Sequence, residues 1–160
     1  ILSLAYGAYF AEIVEKTVLE SMECDEILEL VLRAFLVLSK DTFDQKLCAR
    51  IFELKFLQLF GFMPEMENCC ICGTVGNCKD MYFSVKNGGI VCKECAGDND
   101  FYISSGTVKA IRFVLDNEIK DIFKFNVSDA VLQELKIIIN SYMKEHIGEN
   151  FKTLEFAESL

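Results

Sequence analysis

Cys69-Cys-Ile-Cys72-Gly73, answered by Cys92-Lys-Glu-Cys95, is the most informative stretch of this chain. Nineteen residues lie between the two Cys-x-x-Cys pairs, the separation expected of a ribbon folded around zinc. Each pair forms a reverse turn that presents two thiolates, and two such turns complete a tetrahedron. Gly73 directly follows the first pair, where a residue without a Cβ lets the chain fold back under the metal and aim backbone N–H groups at sulfur. Cys69, Cys72, Cys92 and Cys95 are therefore the candidate ligands. A closed four-thiolate shell leaves no position for water or substrate, so this metal holds structure and does no chemistry. Four thiolates without a metal repel one another and a ribbon has little core. The metal is thus expected to supply most of its ordering, on the order of 10 kcal/mol.

Other uses of the eight cysteines fit less well. A chain of 160 residues with 52% hydrophobic content can bury a real core, so it has no need of the disulfide staples of a small secreted domain. A thioredoxin-like redox pair would sit in a βαβ pattern, which is absent around these pairs. Cys70 and Cys78 are nearby competitors for ligand duty, but Cys70 makes only a Cys-x-Cys spacing with Cys72. Replacement of either is expected to leave the metal in place. Cys24 and Cys48 lie in apolar helical stretches and read as small core residues.

The formal charge of −9 argues against a surface that is basic all over, so any contact with nucleic acid must be local. The longest apolar run, Leu28 to Leu38, is interrupted by Glu29 and Arg33 and falls far short of the roughly 20 residues of a membrane span. The chain opens on Ile1, without a methionine and already inside a helical pattern. Further sequence is expected upstream.

Tyr6, Tyr9, Phe10, Ile13, Val14, Thr17 and Val18 recur at three- and four-residue steps and predict a first helix. A second is expected after Asp25 as N-cap, so dense in Ile27, Leu28, Leu30, Val31, Ala34, Phe35 and Leu38 that it reads as the central helix. A third is predicted to open on a capping box of Thr42 and Gln45 and to run through Leu47, Ile51, Leu54, Leu57 and Phe60, until Gly61 and Pro64 end it. Between the knuckles, Met81 to Val85 has strand character, Asn87-Gly88-Gly89 accepts positive φ, and Ile90-Val91 leads into Cys92. A short hairpin is expected there. Beyond the Gly97-Asp-Asn-Asp100 loop, helices resume at Ser104 or Ser105, and Ser128 caps a last long helix that Gly148 stops. The prediction is a mainly α fold, an antiparallel helical core with an inserted four-cysteine zinc ribbon carrying a short β-hairpin. Its parts are residues 1–67, 68–97 and 98–160.

Charge is unevenly spread. Residues 1–30 set Glu12, Glu15, Glu20, Glu23, Asp25, Glu26 and Glu29 against Lys16 alone, whereas residues 31–60 set Arg33, Lys40, Lys46, Arg50 and Lys55 against Asp41, Asp44 and Glu53. Lys46 and Arg50 are four apart and share a helical face. They could grip a carboxylate-rich ligand together, or pair with the acidic first helix; the sequence leaves both open. The ribbon carries Lys79, Lys86 and Lys93 against Asp80 and Glu94 and offers no phosphate track.

The order of features resembles the C-terminal part of the RecO family of bacterial recombination mediators. Carrying the resemblance are Arg50-Ile-Phe52-Glu53-Leu54 with its exit Leu59-Phe-Gly-Phe-Met-Pro64, then Cys69-x-x-Cys72-Gly73 and Tyr82-Phe-Ser84. Gly88-Gly-Ile-Val-Cys92-x-x-Cys95, Ile103-Ser104, Gly106-Thr107, His146-Ile-Gly148 and Lys152-Thr-Leu-Glu-Phe156 continue it, over roughly Leu4 to Phe156. The resemblance implies a cytoplasmic, nucleoid-associated protein without covalent turnover. It binds single-stranded DNA, anneals strands, and works with RecR to load RecA on DNA coated by the single-stranded DNA-binding protein. It implies an upstream oligonucleotide-binding barrel, so that this chain alone should bind DNA weakly. It also implies a site for the acidic, phenylalanine-ended tail of the single-stranded DNA-binding protein. Lys46, Arg50 and Lys55 are then the expected cations, and Phe52 and Phe56 candidate pocket walls, with core packing the alternative for either aromatic.

The lone His146 continues an apolar helical stripe, and no serine, cysteine or carboxylate motif points to it as a partner. It reads as a packing or capping histidine. The competing functional class is an accessory domain of a nucleic-acid enzyme, since such enzymes also carry four-cysteine ribbons. That class would need a catalytic carboxylate cluster or a phosphate-binding loop, neither of which this sequence displays.

Overall fold

Helix α1 (Leu2–Thr17) buries Ala5, Tyr6, Tyr9, Phe10 and Ile13, the stripe its three- and four-residue spacing dictates. The computed structural model describes residues 1–160 apart from Ser21, Asp41, Gly76, Asn77, Cys78 and Glu149. After α1 come α2 (Asp25–Leu38), α3 (Gln45–Leu59), strands β1 (Met81–Ser84), β2 (Gly89–Cys92) and β3 (Phe101–Ile103), then α4 (Ser105–Asp116), α5 (Asp129–Ile147) and α6 (Lys152–Ser159). The fold is mainly α, with a cysteine ribbon between α3 and α4. Among the described residues no helix is long and apolar enough to cross a membrane.

The central helix is α3, not α2. Every residue from Leu47 to Leu57 is buried, and α3 touches α1, α2, α4 and α5. Helix α2 buries only Ile27, Leu30, Ala34 and Leu38, while Leu28, Leu32, Phe35 and Leu36 stay exposed. Density of apolar residues was therefore a poor guide to centrality, because α2 meets its neighbours along one stripe and leaves an apolar outer face. Within α3, Phe52, Phe56 and Phe60 recur every four residues and stack in a ladder. Phe10 lies on Phe52 at 4.0 Å between ring centroids, 15° from parallel.

Two caps differ from expectation. Asp44, not Thr42, caps α3, its carboxylate accepting from the Lys46 and Leu47 amides at 2.8 and 3.0 Å. The Gln45 side chain reaches instead to the Ser3 hydroxyl. Helix α2 starts one residue earlier than expected, with Cys24 rather than Asp25 at the cap position and no side-chain capping bond. Ser128 caps α5 as expected, α4 begins at Ser105 with Ser104 as its cap, and Gly148 ends α5 at φ +70°, where a residue without a Cβ is at ease.

The hairpin forms as expected, but its sheet has three strands, in the order β2-β1-β3, both pairs antiparallel. Strand β3 falls beyond residue 97 and returns the chain along β1. The sheet does not stand apart from the helices: Met81, Phe83, Ile90 and Ile103 belong to the same buried cluster as the helical core, and Phe83 meets the edge of Tyr142 on α5. Glu65 ties the ribbon's entry to Gly89, where a Cβ would stand 2.2 Å from the Glu65 carbonyl oxygen. Only glycine fits there.

Candidate metal centre and peptide crevice

The knuckles lie where strand β2 and the turn before β1 converge. Gly73, at φ +74°, returns its N–H to the Cys69 carbonyl at 2.9 Å, and Cys95 and Ala96 donate to the Cys92 carbonyl at 3.0 and 2.9 Å. Both turns are thus closed by backbone bonds before any ion is considered. The sulfurs of Cys69, Cys72, Cys92 and Cys95 all lie within 4.8 Å of one another, and Cys72 Sγ stands 3.8 Å from Cys92 Sγ. A tetrahedron with metal–sulfur bonds of roughly 2.3 Å has edges of about 3.8 Å, so the donor set fits one ion.

Burial pushes the Cys69 thiol up, but the backbone N–H groups of Cys72, Cys92 and Ile71 outweigh it and bring it down to about 6. Its bond from the Cys92 amide measures 3.4 Å. The Cys95 thiol goes the other way, pushed up to about 12, first by its hydrogen bond with Cys92 and then by burial. Four clustered thiols cannot all ionise on their own account; a bound cation would drive off the remaining protons. Every described cysteine is a free thiol. Cys70 stays out of the cluster, and burial raises its thiol. Cys48 is fully buried, as expected, while Cys24 is only partly so. The expectation for Cys78 lies outside the described residues.

The five expected partner residues are not gathered on one exposed face. Lys46 is exposed. Arg50 is 2% exposed and Glu53, one turn on, is fully buried. Arg50 NH2 donates to Glu53 Oε1 at 3.1 Å, and Arg50 Nε lies 3.1 Å from Glu53 Oε2 as an ion pair, outside hydrogen-bond alignment. The Tyr9 hydroxyl adds a 2.6 Å bond to Glu53 Oε1, and Arg50 NH1 donates to Asn140 Oδ1 at 2.6 Å. Burial raises the Glu53 carboxyl above its usual range despite the opposing pull of Arg50 and of the Tyr9 bond. Phe52 and Phe56 are fully buried in the ladder and wall no surface pocket. Lys55 is buried too, its ammonium donating to the Asn117 and Val114 carbonyls at 2.8 and 3.2 Å at the end of α4. The cause is the same for all four: a helix surrounded by four others has no face left for water.

Lys46 and Arg50 line a crevice of about 70 Å³ with Tyr6, Leu132, Gln133, Lys136 and Glu158, whereas Lys55 borders a separate one with Glu26, Glu29 and Asp116. The first crevice sets cations from α3 and α5 beside half-buried Leu132 of α5 and buried Tyr6 of α1. Sequence reasoning missed Lys136, Asn140 and Glu158. The first two are four apart on α5, which places them on one face, but nothing local says that this face meets Arg50.

Residues 1–155 match the family described as Recombination protein O C terminal. The chain belongs to that family. It is 34% identical to the DNA repair protein RecO of Acetivibrio thermocellus, over 98% of this chain and 63% of the relative. For the DNA repair protein RecO of Caldicellulosiruptor saccharolyticus the figures are 32%, 94% and 61%, and for that of Alkaliphilus metalliredigens 29%, 98% and 65%. The chain thus spans less than two thirds of the length of these relatives.

In this RecO C-terminal chain His146 packs as expected, its ring stacked 4.7 Å from Phe62 and edge-on to Tyr142 at 4.2 Å.

Proposed function

We propose that this chain is a non-enzymatic docking module of a cytoplasmic, nucleoid-associated DNA repair and recombination mediator. In this reading its crevice takes the acidic C-terminal tail of the single-stranded DNA-binding protein, and the module works with RecR to load RecA and to support annealing. The observation that carries the reading is the convergence of Lys46, Arg50 and Lys136 with Tyr6 and Leu132 around one crevice, cations beside apolar surface, as an acidic tail ending in phenylalanine requires. The names of the relatives supply the repair context. The four thiolates would hold zinc, the ion whose bond lengths suit their spacing, and that zinc would stiffen the ribbon.

Exposed Lys46 and half-buried Lys136 are the informative positions to vary, because loss of buried Arg50 would perturb the fold together with the site. In a calorimetric titration with a peptide of that tail, Lys46→Ala and Lys136→Ala should each weaken binding by about 0.5–1 kcal/mol. The double variant should lose roughly tenfold, and less at high salt. Parental affinity in the double variant would move the tail site elsewhere on the molecule.

A further inference from the structure

Two donors in the crevice, with Asn140 beside it, already face one carboxylate of the chain itself. Glu158 Oε1, from the last turn of α6, lies 3.4 Å from Lys136 Nζ, 3.8 Å from Arg50 NH1 and 3.4 Å from Asn140 Nδ2. The orientation of the Asn140 amide is fixed by chemistry. Arg50 can only donate, so the amide oxygen faces the guanidinium at 2.6 Å and the NH2 group is left pointing outward. Behind these donors the buried Arg50, Glu53 and Tyr9 network sets their positions. The arrangement is a preorganised seat for a carboxylate.

The present occupant holds that seat loosely. A charge-assisted N–H···O bond settles at about 2.7–2.9 Å, and all three contacts to Glu158 are longer. Helix α6 has eight residues and buries Ala157 alone, while Phe156 and Leu160 are more than half exposed. Thr153 bonds Glu12 and Phe151 meets the edge of Tyr9 at its start, and Ala157 packs against the core near its end.

We propose that Arg50, Lys136 and Asn140 form a carboxylate-binding subsite that Glu158 fills in the free chain, and that an acidic peptide enters by displacing it. The proposal rests on the reading of this crevice as a peptide-docking site. Glu158 is then an internal competitor: the chain binds peptide only in the fraction of molecules whose seat is vacant, and apparent affinity falls by that fraction.

The test is fluorescence anisotropy with a labelled octapeptide carrying three aspartates and a C-terminal phenylalanine, on the full chain and its variants, each checked by thermal melting. Glu158→Gln keeps the size of the side chain, removes its charge, and should tighten binding roughly three- to tenfold. Glu158→Ala should do the same. Glu155→Gln, an equal loss of negative charge on the same helix but outside the crevice, should stay within about twofold of the parent. Saturating peptide should also speed amide exchange over residues 157–160. If the Glu158 variants bind no tighter than the parent while Lys136→Ala binds more weakly, the crevice takes the peptide but Glu158 does not compete, and the inference is overturned. If Lys46→Ala and Lys136→Ala both bind like the parent, the docking site itself is misplaced and the inference falls with it.

Discussion

Arg50 and Glu53 show what a buried charge does in this molecule. Removing both from water is costly, and the pair persists because Tyr9 and Asn140 supply further bonds. Loss of one member leaves the other buried and uncompensated. Glu53→Gln should therefore destabilise the chain by about 3 kcal/mol in urea denaturation; a change below about 1 kcal/mol would mean that water reaches Arg50 once its partner is neutral. Glu12 behaves in the opposite sense. The Thr153 hydroxyl bonds its carboxylate and outweighs partial burial, with Lys16 assisting at 2.9 Å, so its folded pKa lies below the usual 4.5. A lowered folded pKa means stability that is complete above about 4.5 and lost as pH falls through the folded value. Glu12→Gln should flatten the decline in melting temperature below pH 4.5 and leave the slope above it unaltered. Glu53, raised by burial, contributes the reverse slope, gaining stability as pH falls towards 4.5, and Glu53→Gln should remove that part.

At the scale of elements, the ribbon was legible because its signal is local: two four-residue turns, Gly73, and a turn sequence at Asn87-Gly88-Gly89 leave one way to join the knuckles. Strand β3 was not, since three residues carry no periodicity and its partner β1 lies about twenty positions back. The cap of α3 differs from expectation for a related reason. Thr42 and Asp44 both precede Gln45, and only backbone geometry decides which oxygen meets the free amides. The candidate peptide site was the least legible. Four of its five expected residues sit on faces of α3 that neighbouring helices cover, and its cations Lys136 and Arg50 come from helices far apart in sequence. For the metal, local reading and geometry agree on four thiolates, so analysis of protein purified under reducing conditions without chelator should find one zinc per chain. Serine at Cys69, Cys72, Cys92 or Cys95 should lower that sharply, whereas Cys70→Ser should keep it. Stoichiometry near zero would leave the cluster a set of free thiols.

Over the whole molecule, the core runs without interruption from α1 through α3 to the sheet, which alters what the metal is expected to do. With Phe83 and Ile90 buried among helical residues, a chelator should loosen the knuckles while far-UV ellipticity from the helices persists. The charge of the molecule sets a second limit. At −9 overall, its long-range field repels a phosphate backbone, and the acidic residues of α1 and α2 are not offset by any basic track on the ribbon. Lys46 and Lys136 beside the crevice can neutralise only about two phosphates, and each phosphate neutralised on a single strand contributes a salt slope of about −0.7. Anisotropy with a labelled single-stranded oligonucleotide should accordingly show weak binding near physiological salt. The slope of log K against log salt should be no steeper than about −2. Lys46→Ala with Lys136→Ala should remove most of that slope. Tight binding with a slope beyond about −4 would require more cations in register than the crevice holds, and would locate the DNA contact on another face of the chain.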